Sequence, residues 1–273
     1  MKTESEYRKD IVEVCKRIHG RGWISSTDGN VSVRLGRDRI LITPTAIHKG
    51  YMTERDLIIT DMEGKLIAGS RKPSSEICLH LTCYRERPDV NAVVHAHPTM
   101  CVALSLAGVS LAKCLLPEVI FTLGSIPTAE YAPPTTEKVA ESVKKYIKEF
   151  DAVILERHGS VTVGADVFSA YNTLERMEHV AEMTYYARQI GNVKPLSEQQ
   201  IAHLQSIGDK QGWPRKKLLE QACNNCNACG KHNNSGSCGG HAQNEQAVQA
   251  AAPSADYIEK LIVEEVRAAL KRN

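Results

Sequence analysis

The sequence contains no apolar run that approaches the roughly 20 residues of a membrane-spanning helix. It also lacks an excess of charge of one sign, because 34 Lys and Arg residues offset 32 Asp and Glu residues and leave a net charge of +2. These absences argue against membrane insertion, and against nucleic acid or an anionic membrane as the main partner. The 273 residues and the hydrophobic share of 42% instead suit one good-sized domain with appendages.

The N-terminus lacks the apolar segment of a secretory signal, since Met1–Glu4 leads directly into an amphipathic pattern. We therefore expect an intracellular protein whose nine cysteines are thiols or metal ligands rather than disulfides. The composition changes near residue 220, where Asn and Gly accumulate. These changes predict a main domain over 1–215, a Cys/Asn/Gly-rich linker over 216–253 and an amphipathic helix over 254–273.

Hydrophobic periodicity predicts both helices and strands across the main domain. Apolar residues at helical spacing predict helices over 6–20, 76–87, 99–106, 136–150 and 166–190. Alternating or continuous apolar runs predict strands over 31–35, 39–43, 91–97, 152–155 and 161–164. This order of elements favours an α/β domain in which helices flank a mostly antiparallel sheet.

The segment His95-Ala96-His97 ends one of these strands and predicts a metal site. Side chains alternate across a strand, so both imidazoles point to one face and can bind the same cation. Glu76 offers a carboxylate oxygen, and His158 offers a third imidazole downstream. Three nitrogens and one carboxylate suit Zn²⁺, in a site that can open one position for a substrate. Taken alone, a His-x-His pair is weak evidence, because surface strands also carry histidines.

Five motifs follow one another along the chain: Thr27-Asp28-Gly29-Asn30-Val31-Ser32-Val33-Arg34, Ile42-Thr43-Pro44-Thr45, Pro73-Ser74-Ser75-Glu76, Val94-His95-Ala96-His97 and His158-Gly159. Together they resemble the class II aldolase/adducin family over roughly residues 5–210. The resemblance implies a three-layer α/β/α fold with a mostly antiparallel central sheet, and a homotetramer of fourfold symmetry with active sites between subunits. It also implies one Zn²⁺ per subunit, bound by His95, His97 and His158, with Glu76 as a ligand or a nearby base.

The resemblance further implies a phosphate-binding cradle. Its residues are Thr27, Gly29, Asn30, Thr45, Ala46, Ser74 and Ser75. Phosphate needs hydroxyls and backbone N–H groups more than formal charge, and these loops offer both. Helix capping is the alternative role for Ser74 or Ser75. Ala46 stands where the family often has Gly, and Asp28 stands where members acting on fuculose phosphate usually have a small residue.

The resemblance is strongest to members that cleave L-fuculose 1-phosphate, with L-rhamnulose 1-phosphate or a related deoxyketose 1-phosphate as alternatives. The implied reaction is a zinc-dependent retro-aldol cleavage to dihydroxyacetone phosphate and L-lactaldehyde. Breaking the C3–C4 bond leaves negative charge on the triose half, which a cation can stabilise. Glu76 is the candidate for proton transfer at the carbon that loses or gains a proton. Its alternative is a first-turn carboxylate that complements the helix dipole.

One catalytic group that the resemblance implies is missing. Alignment on Ser125-Ile126-Pro127 places Leu116 where an aldolase of this family has a tyrosine from the neighbouring subunit. A second tyrosine, expected near the end of the domain, is replaced around Gln211. Glu118 and Tyr131 are the nearby substitutes for handling the sugar hydroxyl proton. We favour Glu118 as the catalytic acid/base, because an interface carboxylate withdrawn from water gains a higher pKa. The alternative for Glu118 is an exposed loop carboxylate.

The predicted linker carries four cysteines with metal-ligand spacing: Cys223, Cys226, Cys229 and Cys238. Such thiolates can bind a second Zn²⁺ or an iron–sulfur cluster. No matching second half is present in the sequence, so a flexible linker with incidental or oxidisable cysteines is the alternative.

The predicted helix over 254–273 has one apolar face and one charged face, and so short a helix needs a partner surface. A linker followed by such a helix resembles the encapsulation peptides of bacterial microcompartment cargo. The resemblance implies shell proteins as partners and the microcompartment lumen as the location. Docking on the protein's own tetramer, in the cytoplasm, is the alternative.

Two other functions fit the same motifs. A pentulose-phosphate 4-epimerase shares the fold and the metal, and re-adds the aldehyde after the same bond cleavage. An adducin-like scaffold keeps the fold without catalysis, although the retained histidines and Glu76 argue against it.

Overall fold

The structure is a computed structural model that describes residues 2–112, 115–191 and 193–211. The predicted linker, its cysteines and the predicted terminal helix over 254–273 lie outside the described residues, as does the predicted boundary at residue 215. These features stay predictions.

The described chain forms eight strands and seven α-helices. The strands are β1 (Asn30–Leu35), β2 (Arg39–Ile42), β3 (Ile58–Asp61), β4 (Leu66–Ala68), β5 (Ala92–Ala96), β6 (Thr128–Ala129), β7 (Ala152–Leu155) and β8 (Gly159–Gly164). The helices are α1 (Glu4–Gly20), α2 (Ile77–Glu86), α3 (Thr99–Leu106), α4 (Pro117–Thr122), α5 (Glu137–Ile147), α6 (Val167–Ile190) and α7 (Glu198–Gln211).

All eight strands join one sheet in the order β4-β3-β2-β1-β5-β8-β7-β6. Neighbouring strands are antiparallel except β6 and β7, which are parallel. The mostly antiparallel sheet confirms the predicted fold class. The strands β1, β5 and β8 lie in its middle, so side chains at their ends are supported from both sides.

Apolar side chains cover both faces of the sheet and produce three layers. Helices α1, α3 and α6 cover one face, through a buried cluster that includes Ile11, Val14, Val31, Val94 and Leu174. Helices α2 and α5 cover the other face, through a second cluster that includes Ile40, Leu79, Val93, Val143 and Val153. Val93 and Val94 belong to different clusters, as expected where both faces of a strand are buried.

Helix α3 begins directly after His97, and a buried carboxylate fixes its first turn. Glu178 of α6 accepts the backbone N–H groups of Met100 and Cys101 at 2.7 and 2.9 Å. Glu178 is buried, and an acidic group at a helix N-terminus satisfies N–H groups that have no partner within the helix. This contact ties the end of β5, where the histidines lie, to the long helix α6.

The structure adds elements that periodicity did not predict: β3, β4, β6, α4 and α7. It also ends α5 at Ile147, before the predicted end at 150. Among the described residues, no helix combines the length and the apolar character needed to cross a membrane.

Candidate metal centre

The centre lies at one end of the sheet, where three neighbouring strands begin or end. Strand β1 begins at Asn30, β5 ends at Ala96 and β8 begins at Gly159. Asn30 lies opposite His95 in the pairing of β1 with β5, and His95 lies opposite Val161 in the pairing of β5 with β8. Backbone pairing thus brings residues that are far apart in sequence to one fixed place.

Three imidazoles meet there: His95, His97 and His158. Their ring centroids are 5.0, 5.0 and 5.1 Å apart, and one ring nitrogen from each lies within 4.8 Å of the others. The Nδ1–H of His95 donates to the backbone oxygen of Ser160 at 2.9 Å, so Nε2 is the ring nitrogen that faces the cluster. That Nε2 lies 3.2 Å from the Nε2 of His97, so the two histidines face the same point, as their spacing predicts.

Glu76 adds a carboxylate to the three rings. Although it stands at the start of α2, its side chain makes no capping hydrogen bond. Its Oε2 lies 3.1 Å from His95 Nε2, and its Oε1 lies 3.2 Å from His158 Nε2. Asn30 Nδ2 donates to Oε2 at 2.9 Å, whereas Oε1 is buried and makes no hydrogen bond among the described residues. The carboxylate therefore faces the histidine cluster rather than the helix end.

Glu76 and His95 stabilise each other's charged forms, since the carboxylate raises the pKa of the His95 imidazole although burial acts in the opposite direction. Burial alone would raise the pKa of Glu76, but His95, His158 and Asn30 together hold that pKa well below its usual range. Burial, with the neighbouring His95 and His158, lowers the pKa of His97 to about 3. Metal ligands must be deprotonated, and three nitrogens with one oxygen are a zinc-binding set. The orphaned Oε1 and this donor set fit the Zn²⁺ that the family resemblance implies.

Two glycines allow the backbone to approach the cluster closely. A Cβ atom on Gly159 would lie 2.5 Å from the backbone oxygen of Ala96 and 2.7 Å from Cδ2 of His97. Gly29 has φ +68°, and a Cβ there would lie 3.0 Å from the backbone oxygen of His95. Glycine is therefore required at both positions for the strand ends to meet.

Three short loops border the centre, and we call them the cradle loops: residues 27–30, 45–49 and 73–75. They contain every residue of the predicted phosphate cradle. An antiparallel bridge between Pro44 and Pro73 places the second and third loops side by side. The structure thus brings the predicted phosphate-binding residues near the metal centre.

Lys49 connects two of the cradle loops. Its ammonium group donates to the backbone oxygens of Thr27 at 2.7 Å and Ile47 at 2.9 Å. The residue is only 2% exposed, and among the described residues no carboxylate forms an ion pair with it. Burial lowers the pKa of Lys49, while the charges of Asp28 and Glu76 act in the opposite direction. A buried cation without a counter-ion is costly, so this lysine suits a place that receives an anion.

The remaining cradle residues differ in their partners. The Oγ of Ser74 accepts the backbone N–H of Glu76 at 3.2 Å, in line with the alternative capping role. Asn30 directs its side chain to Glu76 and His80. Exposed positions that are open to a ligand are Thr27, Ala46 and Ser75.

Ala46 adopts φ +54°, in the left-handed region where a side chain is strained. This conformation accounts for the glycine that the family often has at that position.

The predicted carriers of the sugar hydroxyl proton lie outside this cluster. Glu118 is exposed in the first turn of α4, and no described residue joins its carboxylate to the cluster by a hydrogen bond or ion pair. Tyr131 is 59% exposed, and its backbone N–H donates to Oε2 of Glu156 at 3.1 Å, two residues before His158. Leu116 packs on the core directly before α4, and the side chain of Gln211 lies outside the described residues.

Sequence reasoning missed Lys49, because a single lysine in a loop carries no pattern that predicts its burial. His80 lies between Asn30 and Ser32 and is fully buried. The spacing of His80 four residues after Glu76 on one helix face was the available signal.

The sequence from residue 9 to residue 185 matches the family described as Class II Aldolase and Adducin N-terminal domain. The chain belongs to this family. L-fuculose phosphate aldolase of Methanococcus maripaludis is 36% identical over 176 residues, which cover 64% of this chain and 94% of the relative. The match confirms the predicted family and the predicted enzyme class, a metal-dependent aldolase.

Two further relatives of this class II aldolase bear on fold and substrate. The crystal structure of L-fuculose-1-phosphate aldolase from Thermus thermophilus superimposes with a TM-score of 0.62 at 30% identity, over 71% of this chain and all of that one. The 3-oxo-tetronate 4-phosphate decarboxylase of Haemophilus influenzae is 30% identical over 210 residues, which cover 76% of this chain and 99% of the relative. The fold is therefore confirmed, while relatives of similar identity carry different substrate names.

Proposed function

We propose that this class II aldolase cleaves L-fuculose 1-phosphate, or the related L-rhamnulose 1-phosphate, to dihydroxyacetone phosphate and L-lactaldehyde. The observation that carries the proposal is the carboxylate of Glu76, which contacts His95 and His158 of the three-histidine cluster and has a buried Oε1 without a hydrogen bond among the described residues. The fuculose phosphate aldolase relatives support the choice of substrate.

A zinc ion held by His95, His97 and His158 would supply positive charge to the ketone oxygen, where negative charge develops as the C3–C4 bond breaks. In the condensation direction the ionised Glu76 would accept a proton from C3 of the triose half, and in the cleavage direction the protonated carboxyl group would return one to that carbon. Asn30 occupies one carboxylate oxygen of Glu76, which leaves Oε1 for this transfer.

The cradle loops would bind the phosphate group through backbone N–H groups and hydroxyls. Thr27, Thr45 and Ser75 supply the hydroxyls, and Lys49 beneath them supplies positive charge. Binding of the phosphate at the loops would direct the ketone end of the substrate toward the histidines.

Glu118 is the proposed carrier of the sugar hydroxyl proton, donated to the site of a neighbouring subunit. Its exposure on α4 leaves the carboxylate accessible to a second copy, as this role requires, and Tyr131 is the competing candidate. The test compares Glu118→Gln with Tyr131→Phe in two assays, cleavage and exchange of the C–H proton of dihydroxyacetone phosphate with solvent. The carrier's variant loses cleavage and keeps exchange, because exchange needs only Glu76. If Glu118→Gln keeps full cleavage, the assignment is wrong.

Decarboxylation of a phosphorylated 3-oxo acid is the second candidate. Here the bond to the carboxylate carbon breaks, CO₂ leaves, the electron pair moves toward the ketone and a proton returns to carbon. No hydroxyl proton has to be removed, so Leu116 at the expected tyrosine position favours this reaction. The decarboxylase relative gives independent support.

A coupled assay for dihydroxyacetone phosphate separates these functions. The panel contains 6-deoxyketose 1-phosphates, 3-oxo-tetronate 4-phosphate and pentulose 5-phosphates, each with and without a chelator. Chelator-sensitive triose phosphate with an aldehyde supports the aldolase, and triose phosphate with CO₂ supports the decarboxylase. An isomeric pentulose phosphate would indicate the epimerase, and no product from any substrate would indicate a scaffold.

A homotetramer is the proposed assembly, because its interfaces would complete the active sites. Tyr186 and Ile190, near the end of α6, are 60% and 88% exposed and offer apolar surface to another copy. Light scattering should give four times the mass of one chain, and a monomeric mass that retains activity would refute interface active sites.

The terminal segment is proposed to direct the enzyme into a microcompartment. Removal of residues 254–273 should leave cleavage in solution unchanged and abolish co-purification with shell proteins. Retained co-purification would show that the segment has another role.

Metal analysis and a visible spectrum of the full chain and of the chain ending at 215 would show whether the linker cysteines bind Zn²⁺ or an iron–sulfur cluster.

A further inference from the structure

A continuous chain of hydrogen bonds runs from the metal centre into the layer between the sheet and α2. Asn30 Nδ2 donates to Oε2 of Glu76 at 2.9 Å, and Asn30 Oδ1 contacts Nε2 of His80. His80 Nδ1 lies 2.6 Å from Oγ of Ser32, which lies 2.7 Å from the hydroxyl of Tyr84. We call Asn30, His80, Ser32 and Tyr84 the polar chain.

Every member of the polar chain is buried. Ser32 and Asn30 point to the α2 face of β1, and His80 and Tyr84 lie one helical turn apart on α2. Arg34 closes the far end, since it donates to the backbone oxygen of Tyr84 at 2.7 Å and lies 4.8 Å from the centre of its ring. These side chains are therefore oriented by one another rather than by bulk solvent.

The carboxylate at one end determines the direction of every bond. An ionised carboxylate only accepts, so Asn30 turns its NH₂ group to Glu76 and its oxygen to His80. The Nε2 of His80 must then carry a hydrogen. Burial lowers the pKa of His80 to about 3, so its ring is neutral and Nδ1 accepts from Ser32. The single hydroxyl proton of Ser32 is thereby used, and the hydroxyl of Tyr84 donates to its oxygen.

We propose that His80 is a positioning residue: with Ser32 and Tyr84 behind it, His80 locks the Asn30 amide in the orientation that fixes the Glu76 carboxylate. If the amide turned over, its oxygen would face the carboxylate and repel it. The polar chain thus holds Oε2 in place and leaves Oε1 for the metal and the proton. The catalytic consequence rests on the proposed function, whereas the hydrogen positions do not.

The first test reads those hydrogen positions directly in the zinc-loaded full chain. A neutron crystal structure of the deuterated protein should show a deuteron on Nε2 of His80, none on Nδ1, and the ND₂ group of Asn30 facing Glu76. A deuteron on Nδ1, or a reversed amide, would overturn the proposal whatever reaction the enzyme catalyses.

The second test compares His80→Gln with His80→Asn. The longer amide can place a nitrogen near the former Nε2 and still donate to Asn30, whereas the shorter amide cannot reach it. Supporting residues beside metal ligands typically contribute about 10–100-fold in metal affinity or activity. We therefore expect His80→Asn to weaken zinc binding and lower kcat by about that factor with little change in KM, and His80→Gln to restore most of both.

A purely structural role for His80 gives a different result. Both amides would then lower the unfolding temperature alike, and zinc affinity and kcat would be unchanged or fall equally in the two variants. Either outcome contradicts the proposal.

Tyr84→Phe, which preserves the ring, covers the case in which the His80 variants do not fold. This variant should have a slightly lower kcat and zinc affinity than the native protein. If both quantities equal those of the native protein, the polar chain does not extend to Tyr84. If no substrate is cleaved, the zinc titration still decides the matter.

Discussion

The metal centre and the cradle loops lie side by side but are built differently. His95 is fully buried and Glu76 nearly so, and each is held by several partners. In the cradle loops, Thr27, Ala46 and Ser75 are exposed, and Lys49 is the buried group beneath them. The buried metal centre, which we call the rigid half of the site, suits the bond-breaking step, which is common to the family. The cradle loops, the exposed half, suit the recognition of a particular substrate, and the substrate differs among relatives. Substitutions in the first half should change kcat and metal content, and substitutions in the second should change KM.

The largest effect is expected for His95→Ala, which removes a buried imidazole of the proposed metal site. Zinc content should fall to near zero, and cleavage should fall by about a thousandfold or more, since electrostatic stabilisation of the developing charge is lost. Zinc analysis and the triose phosphate assay measure both. His179→Ala, an exposed histidine on α6, is the matched control and should behave as the native protein. Full activity of His95→Ala would refute the metal mechanism.

Gly159→Ala should damage the centre without removing a ligand. The added methyl group would meet the backbone oxygen of Ala96 and the ring of His97, so we expect a stability loss of about 1–3 kcal/mol. Zinc affinity should fall by about tenfold as His97 is displaced. Gly20→Ala is the control, because nothing lies within 4 Å of a Cβ there. Thermal unfolding and a zinc titration decide the result, and native values for both would mean that the strand ends move apart easily.

Lys49→Met tests the exposed half. Loss of the positive charge should raise KM for the phosphorylated substrate by about tenfold, the factor that corresponds to about 1.4 kcal/mol. The change in kcat should be small, because Lys49 contacts the cradle loops and not the histidines. Lys9→Met, an exposed lysine on α1, should leave KM unchanged. A fall in kcat at constant KM would place Lys49 in the reaction instead of in phosphate binding.

The histidine cluster was largely predictable from sequence, since strand alternation brings His95, within β5, and His97, directly after it, to the same face. The main strands and long helices were also predictable, because their periodicity is strong. Strand β4 has three residues, all apolar and all exposed, and β6 has two, so neither is long enough to show the alternation of a strand. The contacts of Lys49 and His80 join segments 22 and 50 residues apart, and only the folded domain brings these segments together. Local pattern therefore predicted which histidines cluster but not what orients the side chains around them.

The smallest effect is expected for Ala46→Gly, in the second cradle loop. Ala46 has φ +54°, where a side chain costs about 1 kcal/mol, and glycine would relieve this strain at some cost in chain entropy. The net gain should be about 0.5 kcal/mol of unfolding free energy, measurable in chemical denaturation. Ala107→Gly is the matched control, because Ala107 has φ −81° and should lose a similar amount on the same substitution. KM should stay within about twofold, since the backbone N–H at position 46 remains available to the phosphate. A rise in KM without a gain in stability would show that the methyl group of Ala46, and not its backbone, contributes to substrate binding.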